Sequence, residues 1–266
     1  MTKINFEDKH ILISGGSSGI GFALAKEFSK IGAHVTLLAR RKELLEEAVE
    51  CINNYRQDVS QRISFISADV THYRELLKKL NLERKRVDVL INSAGIAYPG
   101  IFMDMEQQTF SHVMDVNYMG TVNLTKILLP EMVQNNWGYI VNISSLAALI
   151  GIYGYTAYAP SKYAVRGFSR CLRAEIAPLG INVSIVLPPD TDTPQLAYER
   201  QLLPEITRMI NENGGVLTPG KVARAIIQGM RRKKFTIIPG LEGKLLFLLA
   251  PIIGRYFYHF AVRKQK

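Results

Sequence analysis

The 266-residue chain contains two cysteines, one tryptophan and fewer acidic than basic residues. Cys51 and Cys171 are too few for a disulfide framework or a thiolate zinc site, and they favour a reducing compartment. The first residues include no apolar core of a secretory signal, so we expect a cytoplasmic protein. Because 47% of the residues are hydrophobic and 21% are charged, a disordered or fibrous chain is excluded.

Basic residues outnumber acidic residues by 33 to 23, which gives a formal net charge of +10. This charge predicts an anionic partner: a nucleotide phosphate, a nucleic acid or an anionic lipid. The basic clusters at 231–234 and 263–266 flank an apolar segment, and the sequence contains no recognisable nucleic-acid-binding motif. We therefore expect a nucleotide phosphate or a lipid surface, and no nucleic acid.

Most of the chain repeats one pattern, in which a short β-branched apolar run is followed by a turn and an amphipathic stretch. The predicted strands are Ile11–Ser14, Val35–Ala39, Ile63–Ser67, Val87–Asn92, Tyr139–Ser144, Ile181–Leu187 and a weaker Phe235–Ile238. The predicted helices are Ile20–Ile31, Lys42–Tyr55, Tyr73–Leu80, Gln107–Gln134 with Pro130 as a candidate break, Tyr158–Ala177 and Lys221–Met230. This alternation predicts one doubly wound, Rossmann-type α/β domain over residues 1–266, with a mainly parallel seven-stranded sheet.

A glycine-rich turn joins the first predicted strand to the first predicted helix. Gly15 permits a tight turn, Gly19 lets the backbone approach a pyrophosphate, and Gly21 allows close packing of the helix. The helix N-terminus also offers oriented N–H groups to an anion. We therefore predict a dinucleotide site here. The same turn contains Ser17, Ser18 and Ile20.

Arg40 and Arg41 follow the second predicted strand, where an NAD-specific site usually offers a carboxylate. Arg40 would bind a 2′-phosphate through charge-assisted hydrogen bonds, which predicts NADPH/NADP as the cofactor. The alternative is that the two arginines only solvate the start of a helix.

The ends of the next two strands add candidate cofactor contacts: Asp69, Val70, Asn92, Ala94 and Gly95. All of them lie at the edge of the predicted sheet where a dinucleotide would bind. For Asp69, a helix N-cap before 71–73 is as good an interpretation as an adenine contact. For Asn92 and Gly95, a structural turn is the alternative.

Tyr158 and Lys162 are four residues apart, so they lie one turn apart on the same face of a predicted helix. A phenol with an ordinary pKa of about 10 is a poor acid–base group at neutral pH unless a nearby positive charge favours its anion. Lys162 could supply that charge, although the same spacing also occurs in helices without any catalytic role.

As a set, these residues resemble the short-chain dehydrogenase/reductase family from Lys9 to about Pro194. The matching motifs are Gly15-x-x-x-Gly19-x-Gly21, Asn92-x-Ala94-Gly95, Asn117 within 115–118, Ser144-Ser145, Tyr158-x-x-x-Lys162 and a proline-rich turn ending at Thr193. The resemblance implies that Ser145 positions a substrate carbonyl and Tyr158 transfers the proton. Lys162 is then expected to lower the pKa of Tyr158 and to bind the nicotinamide ribose.

The resemblance assigns three further residues. Asn117 is expected to hold a helix kink and a water of the proton relay, while Thr191 and Thr193 are expected to hold the nicotinamide carboxamide. The chain departs from the family pattern at Pro189, where glycine is usual, and at Pro160, where alanine is usual. Pro160 is compatible with the pattern only if the helix begins close to it, because a first helical turn does not need that N–H group.

The run 188–194, Pro-Pro-Asp-Thr-Asp-Thr-Pro, resembles the 3-ketodihydrosphingosine reductase branch of the family. This implies NADPH-dependent reduction of a long-chain sphingoid ketone to dihydrosphingosine, by a homo-oligomer that is a dimer or a tetramer. The alternatives are a reductase of another hydrophobic carbonyl, such as a 3-ketoacyl thioester, a steroid or a retinoid-like aldehyde, or an NADP-binding scaffold without turnover.

Two segments fall outside the alternating pattern. Residues 190–217 form an excursion that we interpret as a substrate lid. Residues 241–266 are apolar and basic, but their apolar run is shorter than the roughly 20 residues of a spanning helix. They either lie peripherally on the cytoplasmic face of a membrane or cover the core or an oligomer interface. No ligand pattern predicts a metal.

Overall fold

The computed structural model describes residues 3–83, 86–211 and 215–250. Its strands are β1 (His10–Ser14), β2 (His34–Ala39), β3 (Ile63–Ser67), β4 (Val89–Asn92), β5 (Gly138–Ile143), β6 (Ile181–Val186) and β7 (Thr236–Ile237). They form a seven-stranded sheet in the order β3-β2-β1-β4-β5-β6-β7, with every pair parallel. The predicted doubly wound α/β fold is therefore confirmed.

Helices connect the strands on both sides of the sheet. They are α1 (Gly19–Ser29), α2 (Lys42–Asn53), α3 (Tyr73–Glu83), α4 (Gln107–Met114), α5 (Gly120–Gln134), α6 (Tyr158–Ile176), α7 (Pro194–Leu202), α8 (Glu205–Asn211) and α9 (Pro219–Arg231). Residues 241–250 are also helical. Except in the 107–134 stretch, the predicted elements agree with these bounds to within three residues at each end.

The prediction that Pro130 breaks the 107–134 helix is wrong. Pro130 lies inside α5, on its exposed side, while Leu124, Leu128 and Met132 hold the opposite side of the helix in the core. These buried side chains lie before and after the proline in the sequence. Their packing stabilises α5 by more than the loss of one helical hydrogen bond destabilises it. The interruption is instead a π-helical turn at Asp115–Met119, between α4 and α5.

Successive side chains of each strand point to opposite faces of the sheet, and a hydrophobic core lies on each face. Ile11 and Ile13 of β1 pack in the core beneath α1, α2 and α9. Leu12 points the other way, into the core formed with α3, α5 and α6. Because both faces are covered by helices, the strands are mostly apolar on both faces, as buried parallel strands are.

In the described sheet the order of the strands reverses once, at β1. The chain adds β2 and β3 on one side of β1 and then returns to add β4 on the other side. In sheets of this type, ligands bind in the crevice at the carboxyl ends of the strands where the order reverses. The residues after β1, β2, β3 and β4 all reach this crevice.

The C-terminal prediction falls partly outside the described residues. Residues 251–266, which include the basic cluster at 263–266, lie outside the described residues, as do residues 212–214 of the predicted lid. Within the described ranges, no helix has both the length and the apolar character needed to cross a bilayer.

Candidate active site

A cavity of about 530 Å³ opens at the carboxyl ends of the strands, between the glycine-rich turn, α6, α7 and the helix at 241–250. Most of the sequence-predicted site residues line it. They are Gly15, Ser17, Ser18, Gly19, Ile20, Gly21, Arg40, Asp69, Val70, Ala94, Gly95, Ser145, Tyr158, Lys162, Thr191 and Thr193. The two predicted asparagines, Asn92 and Asn117, do not line it.

Two positions of the glycine-rich turn leave no room for a side chain. Gly15 has φ +66°, and a Cβ there would lie 2.9 Å from the backbone of Ala94. A Cβ on Gly21 would lie 2.3 Å from the carbonyl oxygen of Gly15. Ser18 precedes α1 and makes no side-chain capping hydrogen bond. The first N–H groups of α1 are therefore available to bind an anion. This cradle fits a pyrophosphate.

Arg40 and Asp69 face each other across the adjacent end of the cavity, with Nη1 3.8 Å from Oδ2. Burial raises the pKa of Asp69, but hydrogen bonds from the amide and hydroxyl of Thr71 and the charge of Arg40 outweigh it and lower the pKa overall. The N-cap interpretation of Asp69 is not supported, because α3 begins only at Tyr73. The side chain of Arg40 is 58% exposed, which leaves it open to a phosphate.

Asn92 needs a correction, since its side chain lies inside the molecule and not at the cavity. It is 2% exposed, and its Nδ2 donates to Asn142 Oδ1 at 2.8 Å and to Thr125 Oγ1 at 3.3 Å. A buried amide requires such partners, which fix it between the sheet and α5. Sequence reasoning overlooked Ser14, whose Oγ accepts from the amides of Ser93 and Ala94 at 3.1 Å and so shapes the cavity wall.

Asn117 sits in the π-helical turn and is 1% exposed. Its Oδ1 accepts from the amide of Ile96 at 2.8 Å, and its Nδ2 donates to the carbonyl of Ile96 at 3.0 Å and to Ser161 Oγ at 2.8 Å. It thus ties the loop after β4 to α6. A Cβ on Gly95 would lie 3.2 Å from both Asn117 Oδ1 and Lys162 Nζ, so a side chain there would crowd both groups.

Ser145, Tyr158 and Lys162 meet at the centre of the cavity. Ser145 follows β5, and its Oγ accepts from the amide of Ala147 at 3.1 Å. Because α6 begins at Tyr158, Pro160 falls in its first turn, which satisfies the condition set by the sequence. Lys162, which is 5% exposed, donates to the carbonyl of Ile143 at 3.2 Å and lies 5.6 Å from the ring centroid of Tyr158.

The predicted lowering of the Tyr158 pKa by Lys162 does not appear in this arrangement. Burial raises the pKa of Tyr158, and the charges of Glu199 and Asp190 raise it further, whereas the hydrogen bond with Ser145 acts in the opposite direction. Burial also lowers the pKa of Lys162 to about 8, opposed by Glu199. The phenol is therefore held in its protonated form.

Glu199 is a buried carboxylate of this cavity that sequence reasoning missed. It lies on α7, is 8% exposed, and accepts hydrogen bonds from Tyr155 Oη at 3.2 Å and from Gln195 Nε2 at 2.8 Å. The one available signal was the spacing of Gln195 and Glu199, four residues apart on a polar helix. That spacing does not reveal that the carboxylate points inward.

The two predicted threonines begin the excursion at 190–217. Thr191 is 6% exposed and pairs with Leu217 in an isolated bridge. Thr193 caps α7, accepting from the amide of Leu196 at 3.2 Å, and its methyl group lies 3.1 Å from where a Cβ of Gly19 would be. The start of α7 therefore lies against the glycine-rich turn. Across the described ranges, no three His, Cys, Asp or Glu side chains are grouped to hold a metal ion.

The chain is similar to known proteins in sequence and in fold. The short chain dehydrogenase family model matches residues 9–202. The chain is 37% identical over 244 residues to a 3-dehydrosphinganine reductase of Danio rerio, covering 90% of this chain and 74% of that protein. It is 33% identical over 276 residues to a 3-ketodihydrosphingosine reductase of Dictyostelium discoideum, covering 97% and 83%. A solved short-chain dehydrogenase from Sphingobium yanoikuyae in complex with NADPH is similar with a TM-score of 0.78 and 25% identity, covering 97% of this chain and 94% of that one.

Proposed function

The chain belongs to the short chain dehydrogenase family, and from this we propose that it reduces 3-ketodihydrosphingosine to dihydrosphingosine with NADPH. One observation carries the proposal: Ser145, Tyr158 and Lys162 line one cavity together with the glycine-rich turn, in a chain whose relatives are named for this ketone. The chain is an oxidoreductase that interconverts an alcohol and a carbonyl group, and the proposal adds the identity of that carbonyl compound.

The residues around the turn fit NADPH. The glycine cradle and the N-terminus of α1 would hold the pyrophosphate, and Arg40 would bind the 2′-phosphate. When bound, the cofactor supplies the hydride that reduces the ketone carbon. Asp69 and Val70 would contact the adenine end, while Thr191 and Thr193 would hold the carboxamide.

Three side chains would act on the ketone. Negative charge develops on the carbonyl oxygen during reduction, and the hydroxyls of Ser145 and Tyr158 would donate hydrogen bonds to it. Tyr158 would then transfer its proton to that oxygen, and its raised pKa keeps the proton available at neutral pH. The cationic form of Lys162 would assist this transfer and orient the ribose, while Asn117 keeps the π-helical turn fixed against α6.

The described part of the predicted lid, residues 190–211 and 215–217, would cover the reacting groups and exclude water. The position of Thr193 against Gly19 and the buried Glu199 on α7 support this role. That the chain assembles as a dimer or a tetramer remains a prediction.

The helix at 241–250 supports a peripheral contact with a membrane surface. Leu241, Leu245 and Leu248 are 81%, 59% and 71% exposed, whereas Leu246 of the same helix lines the cavity. A helix that joins the cavity to an exposed apolar side would let a lipid ketone pass from a bilayer to the reacting groups. This contact would lie on the cytoplasmic face, where NADPH is available.

The test is NADPH oxidation by the purified protein with 3-ketodihydrosphingosine in detergent, beside a 3-ketoacyl thioester and a steroid ketone in the same detergent. We expect turnover of the sphingoid ketone to exceed that of the other two. Turnover of only another ketone would leave the reductase chemistry in place and overturn the substrate assignment. Binding of NADPH without turnover of any ketone would favour a scaffold instead.

A further inference from the structure

The carboxylate of Glu199 lies at the reacting end of the cavity. Its Oε2 accepts from Tyr155 Oη at 3.2 Å, and the ring centroid of Tyr155 lies 5.7 Å from that of Tyr158. Glu199 and Ser145 line the same cavity as both tyrosines. This carboxylate is therefore hydrogen-bonded to the tyrosine that packs beside the phenol that we propose as the proton donor.

The hydrogen-bond partners of Glu199 are neutral. Gln195 donates to Oε1 at 2.8 Å and Tyr155 to Oε2, although an ionised carboxylate can accept about four hydrogen bonds. Among the described residues, no Lys, Arg or His nitrogen lies within 4.0 Å of this carboxylate. Burial raises the pKa of Glu199, as expected for a carboxylate removed from water without an adjacent cation.

An ionised carboxylate in such a place is unfavourable until a cation reaches it. The other carboxylates of the cavity differ in burial or in their partners. Asp69 has Arg40 within 4.0 Å, and Asp190 and Glu242 are exposed. The charge of Lys162 lowers the pKa of Glu199 against the effect of burial, but Lys162 does not contact this carboxylate. Glu199 is thus the buried carboxylate of this cavity that has capacity for a cationic ligand.

The proposed substrate carries such a cation. Its amino group is bonded to the carbon next to the ketone, and it is protonated at neutral pH. With the ketone oxygen at Ser145 and Tyr158, the ammonium group stays one carbon from the reacting centre. We propose, on the basis of the function proposed above, that Glu199 binds this ammonium group and so makes the site selective for α-amino ketones.

The rest of the cavity suits the remainder of such a molecule. Ile152, Leu196 and Leu246 offer apolar side chains to a hydrocarbon chain. A 3-ketoacyl thioester or a steroid ketone has no ammonium group for Glu199. The carboxylate would be left buried without a cation when either of these was bound, which lowers their affinity.

The experiment compares two long-chain ketones that are identical except that one lacks the amino group. The wild-type protein is expected to prefer the amino ketone in kcat/KM. Glu199→Gln keeps the size of the side chain and an oxygen for Tyr155, and removes the charge. Its new NH2 group replaces the oxygen that accepts from Gln195, whose own amide can turn to offer its oxygen instead. We expect it to lose about 10- to 100-fold in kcat/KM on the amino ketone, mostly through KM, the range for a hydrogen bond to a charged group. Removal of the charge also acts on the pKa of Tyr158, and this effect is common to both ketones. The loss of kcat/KM on the deaminated ketone should therefore be much smaller, and the ratio of the two kcat/KM values is the readout.

Glu205→Gln, an exposed carboxylate on α8, is the matched control for the change in net charge, and it should behave as the wild type. An equal loss on both ketones in Glu199→Gln would overturn the proposal in favour of a purely structural role. Equal turnover of the two ketones by the wild type would overturn it without any variant, while leaving the reductase activity established. Turnover of neither ketone would instead refute the proposed function.

Discussion

The ammonium nitrogen of Lys162 lies 5.6 Å from the ring centroid of Tyr158, one helical turn further along α6. Lys162 is 5% exposed, and the same nitrogen donates to the carbonyl of Ile143 at 3.2 Å. An ammonium group is therefore buried directly beside the phenol, at a position where burial of the charge is unfavourable for folding.

The burial of Lys162 predicts a pH dependence of stability. Burial lowers its pKa from 10.5 to about 8 in the folded protein. Between these pH values the unfolded chain binds a proton that the folded protein does not, so the contribution of Lys162 to the free energy of unfolding rises with pH. Lys162→Met removes that contribution. The wild type should therefore gain stability relative to Lys162→Met as the pH rises from about 7 to about 10.

Urea unfolding of both proteins at each pH measures this difference. Lys126→Met, on the exposed side of α5, serves as the control and should show a smaller change with pH. A stability difference between wild type and Lys162→Met that stayed constant with pH would contradict the burial of a titrating Lys162.

The glycines allow a matched pair of alanine substitutions. In Gly21→Ala the new Cβ would lie 2.3 Å from the carbonyl oxygen of Gly15, so the turn must distort. We expect a loss of about 1–3 kcal/mol in the free energy of unfolding, the range for an overpacked site, and weaker NADPH binding. Gly167 is exposed on α6 with nothing within 4 Å of its added Cβ. Gly167→Ala should stabilise the protein by about 1 kcal/mol.

Thermal unfolding and fluorescence titration with NADPH measure the two effects. Unchanged NADPH affinity in Gly21→Ala would argue against a pyrophosphate at this turn.

The preference for NADPH is expected to depend on Arg40. Arg40→Ala removes the charge-assisted hydrogen bonds to a 2′-phosphate, which should raise KM for NADPH about 10- to 100-fold and leave KM for NADH nearly unchanged. Lys42→Ala, an exposed cation at the start of α2, is the control that separates local binding from general electrostatics. A parallel rise of both KM values in Arg40→Ala would refute this assignment.

Sequence patterns were sufficient for the sheet and insufficient for several contacts. Parallel strands covered on both faces are mostly apolar on both faces, so β1, β4 and β5 could be recognised from local composition. The glycine-rich turn was recognisable because its constraint is local. Gly15 and Gly21 have no room for a Cβ, so the turn requires glycines within a short stretch of sequence.

Two features depend on groups far apart in the chain. The kink at Asn117, which the family resemblance implied, is associated with hydrogen bonds to Ile96 and Ser161, whereas Pro130 offered a misleading local signal. The inward direction of Glu199 likewise depends on Tyr155, 44 positions away. Periodicity describes one helix at a time and cannot identify such partners.

The exposed leucines of the helix at 241–250 predict that the protein binds to a lipid surface. Replacing both Leu245 and Leu248 by serine removes apolar area from its exposed side, so co-flotation with vesicles containing anionic lipid should fall about 10-fold or more. Activity on a short, water-soluble ketone should be unaffected, since neither residue lines the cavity. Val59→Ser, at an apolar residue that is even more exposed, is the control. Unchanged flotation of the double variant would exclude this helix as the membrane contact.

The most direct test of the proposed reaction is the NADPH-dependent formation of dihydrosphingosine from 3-ketodihydrosphingosine, measured by mass spectrometry for the wild type and for Tyr158→Phe. The wild type should form the alcohol, and the variant should be slower by about 100- to 10,000-fold, because it retains the ring and loses the hydroxyl group that carries the proton. Tyr163→Phe, an exposed tyrosine on the same helix, should retain wild-type activity. Dihydrosphingosine formation by Tyr158→Phe at the wild-type rate, or its absence with the wild type, would contradict the reaction proposed for this site.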